Sequence, residues 1–327
     1  MSIPFRLQQA IESGSAVLFI GAGMGYNMID PDGNAIPDGQ ALAQKITKHF
    51  SVPTENEYDL AKISQFVVAK NKGRDELISF IKSCLSQAHP DDFMSWIPTI
   101  RWKAIFTTNY DNTIEQAYDF CESPIQQYVT ITHVSGLRDY NEATDVPIIH
   151  LHGYLFSETS SDIIITSQDY SKFEEKRRSL FALLKQRMAS SCILYSGYSN
   201  NDSNFNTIVS DLEMELLPFK PELSYRIDPN TSEMDQFIWK ERNIETISET
   251  FTEFVKEARL QLNIQFSPKD NYKQYKQSIP DDFQKEFSNY PVPILRLMTS
   301  WQYLNQMPVL GSPDVYNYVR GNLPTCI

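Results

Sequence analysis

The chain has 327 residues, 41% hydrophobic and 21% charged, a globular balance that excludes both a mini-scaffold and an intrinsically disordered chain. Lys and Arg total 29 against 41 Asp and Glu, a formal charge of -12, so the surface as a whole repels polyanions and argues against nucleic acid as a primary partner. The N-terminal stretch carries Arg6 and Glu12 without a continuous apolar run, and no segment has the roughly 18 apolar residues of a spanning helix, which predicts a cytoplasmic protein with no membrane insertion.

Ile3, Leu7, Ala10 and Ile11 recur at helical spacing, with Ser2 as a cap and Gly14 as a stop. Ala16 to Ile20 follows as a continuous β-prone run, the pattern of a strand buried on both faces. Similar runs predict strands at Ala104–Thr107, Pro147–Leu151, Ile163–Thr166, Cys192–Tyr195 and Ser224–Ile227. Between them, Leu77, Ile78, Ile81 and Leu85, then Phe173, Leu180, Phe181, Leu184 and Met188, then Phe205, Ile208, Leu212 and Leu216 form helical stripes. The basic run Lys176-Arg177-Arg178 reads as a solvated helix face.

Strands alternating with helices predict a Rossmann-like α/β fold with a doubly wound, mostly parallel sheet. Residues 40–100 read as a small helical cap, preceded by a loop from Asn27 to Gly39 that is long enough to be functional. Thr250 with Glu253 forms a capping-box pattern ahead of Phe251, Phe254, Val255, Ala258 and Leu262. The expected organisation is a domain over 1–248 and a helical or irregular extension over 249–327, whose Tyr, Phe and Trp content suits an oligomer contact or packing on its own domain.

Five strand ends carry the polar chemistry. Gly21-Ala22-Gly23 follows the first strand, either as a phosphate cradle or as a tight turn. Thr107-Thr108-Asn109-Tyr110-Asp111 can orient a ligand, while Asp111 can also cap the next helix. His150 and His152 share a face of their strand; an imidazole suits general base work, and a hydrogen-bonded structural histidine is the alternative for each. Ser196-Gly197-Tyr198-Ser199 and Arg226-Ile227-Asp228 read as phosphate or ribose contacts, or as plain turns. Cys84, Cys121, Cys192 and Cys326 lack zinc-ribbon or CxxC spacing, and the two histidines lack a third ligand, so no metal is expected.

The ordered set Gly21-Ala22-Gly23, Ala35-Ile36-Pro37-Asp38, Thr108-Asn109-Tyr110-Asp111 and His152-Gly153 resembles the sirtuin family. With Asp169-Tyr170 and the turn from Ser196 to Asp202, it is similar to a sirtuin-like branch of bacterial anti-phage NAD hydrolases, such as the NAD-hydrolysing subunit of Thoeris systems, over roughly Ser13 to Ile247. The resemblance implies NAD+ as substrate, with Gly21, Ala22 and Gly23 at the pyrophosphate, Asn109 and His152 as catalytic residues, and Thr108 and Asp111 beside them. Gly197, Ser199 and Asp228 would reach the adenosine half. It further implies a homo-oligomer, as a dimer, tetramer or filament, held inactive until an activating protein or nucleotide signal arrives. The four-Cys ribbon of deacylating sirtuins is missing, and Met24-Gly25 stands where a small hydroxyl residue is usual. A silent NAD- or ADP-ribose-binding scaffold and then a protein deacylase are the rival expectations.

Overall fold

The computed structural model describes residues 3–30, 36–53, 58–86, 88–138, 140–157, 162–198 and 203–262. Ala35, Ser199 and the aromatic segment from Phe266 to Ile327, on which several expectations fall, lie outside the described residues. The elements in chain order are α1 (Phe5–Glu12), β1 (Val17–Ile20), β2 (Met28–Ile29), α2 (Gly39–Phe50), α3 (Leu60–Val67), α4 (Gly73–Leu85), β3 (His89–Pro90), β4 (Ala104–Thr107) and α5 (Thr113–Phe120). Then come β5 (Gln127–Ile131), β6 (Asp145–His150), α6 (Ser167–Ser171), α7 (Phe173–Ser190), β7 (Ile193–Ser196), α8 (Ser203–Leu216), β8 (Ser224–Ile227), α9 (Glu233–Glu241), β9 (Ile244–Ile247) and α10 (Phe251–Gln261).

Seven strands form one sheet in the order β5-β6-β4-β1-β7-β8-β9, with every neighbouring pair parallel. β2 and β3 make a separate antiparallel pair. The alternation of side chains along β1 shows how the two layers form. Leu18 and Ile20 enter a core shared with α1, α2, α4, Trp96, Trp102 and α10, whereas Val17 and Phe19 enter one shared with α7, α8 and Trp239. A strand buried on both faces needs apolar residues at every position, which is why Val17–Ile20 reads as an unbroken run.

From β1 the chain moves to β4 on one side of the sheet and later returns to β7 on the other side. Ligand crevices in doubly wound sheets lie outside the carboxyl ends of strands at such a reversal. The sequence motifs after β1, β4, β6 and β7 therefore share one edge.

Helix α10 begins with the expected capping box: Glu253 N–H donates to Thr250 Oγ1 at 3.2 Å, and Thr250 N–H donates to Glu253 Oε2 at 2.8 Å. Its Phe254 meets the Trp96 ring edge-on at a 5.8 Å centroid distance. Phe251, Phe254, Val255 and Ala258 thus belong to the same core as Leu18 and Ile20.

The local differences from expectation have physical causes. β5 and β9 produced no apolar run because they are the sheet edges, where polar residues interrupt the apolar ones, as in Ile244-Glu245-Thr246-Ile247. Ile163–Thr166 is not a strand; it is a buried extended segment leading into α6, and its backbone groups bond to loops and side chains instead of a neighbouring strand. Arg177 does not lie on a solvated face. It is buried and donates to the carbonyls of Thr132 and Asp162, joining the end of β5 to the segment after β6. Burial lowers the guanidinium pKa there.

Candidate active site

β4 and β6 pair in register with Thr107 beside His150. Asn109 and His152 each lie two residues beyond that pair, so adjacent strands deliver them to the same edge of the sheet. Thr107 Oγ1 accepts from Asn109 N–H at 3.0 Å, which turns the chain immediately after β4. The Asn109 side chain is buried at 8% exposure, and its Oδ1 has no hydrogen-bond partner among the described residues. An unmet buried acceptor costs about 1–3 kcal/mol, so a donor supplied from outside the described residues is favoured at this atom.

His150 lies beneath that turn with no exposure. Its Nδ1 is 3.1 Å from the Asn109 carbonyl oxygen and its Nε2 2.8 Å from Glu115 Oε1 of α5. Thr130 of β5 donates to the same Glu115 oxygen at 2.9 Å. Burial alone would lower the His150 pKa, but the Glu115 charge and its hydrogen bond, with the Asn109 carbonyl and Asp111, leave it raised. Asp111 moves upward because burial outweighs its bonds from Thr113. It does not cap α5, whose N-cap is Asn112; it closes the turn leading into the helix, accepting from Thr113 N–H at 3.0 Å and from the Thr113 hydroxyl.

His152 stands on the turn after β6 and is 6% exposed. Its carbonyl accepts from Ile164 N–H at 2.8 Å, and Tyr110 donates its hydroxyl to the Ile164 carbonyl at 2.7 Å. The ring meets Tyr170 of α6 edge-on at 5.5 Å and lies 6.4 Å from the Tyr110 ring. Gly153 then takes φ +94°, and a Cβ there would stand 2.9 Å from the Asp162 carbonyl oxygen. Only glycine turns the chain there without strain.

The Tyr170 support is anchored from the helical cap. Arg74 of α4 donates to Asp169 Oδ2 at 2.8 Å and to the Ile163 carbonyl. Burial pushes the Asp169 carboxyl upward, but the Thr166 backbone bond, the Arg74 guanidinium and the Thr166 hydroxyl together hold it down at about 2.

The β1 and β7 ends are built differently. Gly21 N–H donates to Ser196 O at 2.9 Å and Gly23 N–H to Gly197 O at 2.7 Å, while Met24 N–H returns to Gly21 O at 3.1 Å. Gly197 has φ +67°, and a Cβ there would lie 2.2 Å from Met24 N. The glycines thus let two strand-end backbones touch, and the Gly21 and Gly23 amides are used within the protein. Ala22 between them is exposed. Thr108 is half-buried and donates its N–H to Ile20 O at 3.3 Å. At the β8 end Asp228 is bonded on both oxygens, from Arg226 at 2.6 Å and from Asn230 N–H at 3.0 Å.

Among the described residues no group of three or more His, Cys, Asp or Glu is arranged to hold a metal ion. Glu115 and Arg74 escaped the motif reading. Glu115 carried one signal, a carboxylate on the same helix as the apolar Ile114, Ala117 and Tyr118; Arg74 carried none, since its partner lies 95 positions away.

Residues 103–247 match the family model described as SIR2-like domain. Curated relatives include NAD(+) hydrolase ThsA of Enterococcus faecium, 24% identical over 221 residues, covering 64% of this chain and 42% of that protein. NAD(+) hydrolase ThsA of Acinetobacter baumannii is 23% identical over 64% of this chain and 41% of its own. This chain thus spans about two fifths of the length of the curated relatives it matches. Among solved structures, a Sir2 homolog–NAD complex aligns over 80% of this chain and 94% of its own at 11% identity and a TM-score of 0.44. A Sir2 homologue mutant in complex with ADP-ribose aligns over 81% and 100% at 11% identity and a TM-score of 0.41.

Proposed function

We propose that this chain is an NAD+ glycohydrolase that cleaves the bond between nicotinamide and ribose to give nicotinamide and ADP-ribose, depleting NAD+ in anti-phage defence. The observation that carries the reading is the buried, unbonded Asn109 Oδ1 at the β4 end, delivered by strand register to the edge that also holds His152. The names of the curated relatives support the substrate and the reaction.

The pyridinium charge makes nicotinamide a good leaving group, so the protein's task is to hold an oxocarbenium-like ribose and to place water. Asn109 Oδ1 accepts a hydrogen bond from the ribose hydroxyls or from the attacking water. The C1′–N bond breaks and its electron pair leaves with neutral nicotinamide. Water oxygen bonds to C1′, and His152 takes the released proton and passes it to solvent. Tyr170 and Tyr110 hold the His152 ring while this happens.

Within this reading the exposed Ala22 backbone, together with Thr108, Asp111, Gly197, Ser199 and Asp228, meets the rest of the dinucleotide. The protein works in the cytoplasm as a homo-oligomer, with residues 249–327 supplying a contact and an activating protein or nucleotide releasing its activity. The aromatic content of that segment supports the contact.

Purified full-length protein incubated with NAD+, alone and with candidate activators, provides the test through chromatography of nicotinamide and ADP-ribose. Multiple turnovers without an acyl-peptide are expected. Stoichiometric NAD+ binding without nicotinamide release would leave the silent scaffold standing, and release dependent on an acyl-peptide would leave a deacylase.

A further inference from the structure

His150 is buried where no substrate can reach it, yet both ring nitrogens are committed to partners that bear on Asn109. The Asn109 carbonyl can only accept, so Nδ1 carries a proton. Glu115 Oε1 faces Nε2 and already takes the Thr130 hydroxyl, while Glu115 Oε2 is buried with no partner among the described residues. Two donors converging on one oxygen is the arrangement of a carboxylate facing an imidazolium.

We propose that His150 and Glu115 form a buried positioning pair for Asn109: His150 ties down the Asn109 carbonyl, Glu115 holds the ring from the opposite side, and the pair fixes the turn that aims the Asn109 amide. The proposal rests on the NAD+ reading for what Asn109 touches, and on geometry alone for how Asn109 is held. Three elements converge to build it: β4 brings Asn109, β6 brings His150 and α5 brings Glu115, with Thr130 of β5 behind the carboxylate. Asp111 on the turn before α5 and Tyr154, whose ring lies 4.6 Å from His150, are the other titratable groups facing the ring. Burial holds the Tyr154 hydroxyl neutral.

The full chain and three variants test the pair by two independent readouts, steady-state kinetics of nicotinamide release and NMR. Because misplacing a reacting group by about 1 Å costs about 10²-fold, His150→Leu is expected to lower kcat by about that factor with a smaller change in KM. His150→Gln, whose amide still donates, recovers much of the loss. In Glu115→Ala the imidazolium loses its counter-ion, so burial lowers the pH at which the ring gives up a proton, and the kcat profile gains a step beside any that the unaltered protein shows. In NMR, both His150 nitrogens stay protonated as pH rises past the ordinary imidazole value of about 6.5, and the Asn109 resonances shift in His150→Leu and return in His150→Gln.

Unchanged kcat in a folded His150→Leu variant, unmoved Asn109 resonances, or a neutral His150 ring would each overturn the proposal. Should His150→Leu not fold, Glu115→Ala decides, and a pH profile superposable on that of the unaltered protein would overturn it. If the unaltered protein releases no nicotinamide, the NAD+ reading fails, and the NMR shifts still judge the pair.

Discussion

The edge formed by β4 and β6 and the edge formed by β1 and β7 lie side by side in one sheet, but they spend their polar groups in opposite ways. After β1 and β7 the backbone amides of Gly21 and Gly23 are satisfied by Ser196 and Gly197 carbonyls, and the surface is shaped by close backbone approach. After β4 and β6 the backbone is held from below by His150 and Glu115, and a side-chain acceptor, Asn109 Oδ1, is left unbonded among the described residues. A crevice can thus have a wall whose value is shape and a wall whose value is unmet hydrogen bonding. The proposed reactivity belongs to the second.

Removing the reactive side chains should have the largest effect. Asn109→Ala and His152→Ala are expected to lower the rate of nicotinamide release by about 10² to 10⁴-fold each, the span of a general acid-base or orienting group, with both variants folded and Asn109→Ala, which removes an unmet buried acceptor, no less stable than the unaltered chain. His152→Ala turning over at the original rate would show that the reactive wall lies elsewhere.

The shape wall should fail through folding instead. Gly197→Ala adds a Cβ 2.2 Å from a backbone nitrogen at a left-handed φ. It is expected to destabilise by roughly 2–5 kcal/mol, from about 1–2 for the backbone conformation and about 1–3 for overpacking. Denaturant melts measure this; a midpoint equal to that of the unaltered protein would mean the two strand ends do not touch.

The supports of the reactive wall should separate by pH. Asp169, held down at about 2, stabilises above its unfolded value near 3.9, and that contribution is lost as pH falls through about 2. Arg74→Met should therefore raise the acid-unfolding midpoint. His150 has a raised pKa, so its contribution is complete below 6.5 and is lost as pH rises through the folded value. Melts of Arg74→Met and Glu115→Ala should thus change in separate pH windows, the first as pH falls below about 3.9 and the second as pH rises above about 6.5, and a shared window would show that the two supports are not independent.

The smallest effect belongs to the β8 end. Asp228→Asn removes a charge already paired with Arg226 and partly exposed, so if its role is ribose contact, KM for NAD+ should rise with kcat nearly constant. Isothermal titration or initial rates would register it, and a fall in kcat at constant KM would move Asp228 into the reactive wall.

The order of elements was legible because strands buried on both faces write continuous apolar runs, as in Val17–Ile20 and Ala104–Thr107, and each ends in a polar or glycine turn. Asn109, His152 and the glycines were legible for the same reason: they are the residues immediately after those runs. What a side chain does there was not legible, since Arg177 and Glu115 carry charges that local pattern assigns to solvent, and only the crossing of distant segments turned them inward. Gly197 likewise reads as a loop glycine until β7 is laid against β1. Period and turn chemistry depend on neighbours in sequence, so the chain alone determines them. Whether a donor or acceptor is already satisfied depends on groups 35, 41 or 95 positions away, and only the closed tertiary structure decides which of them remain available to a substrate.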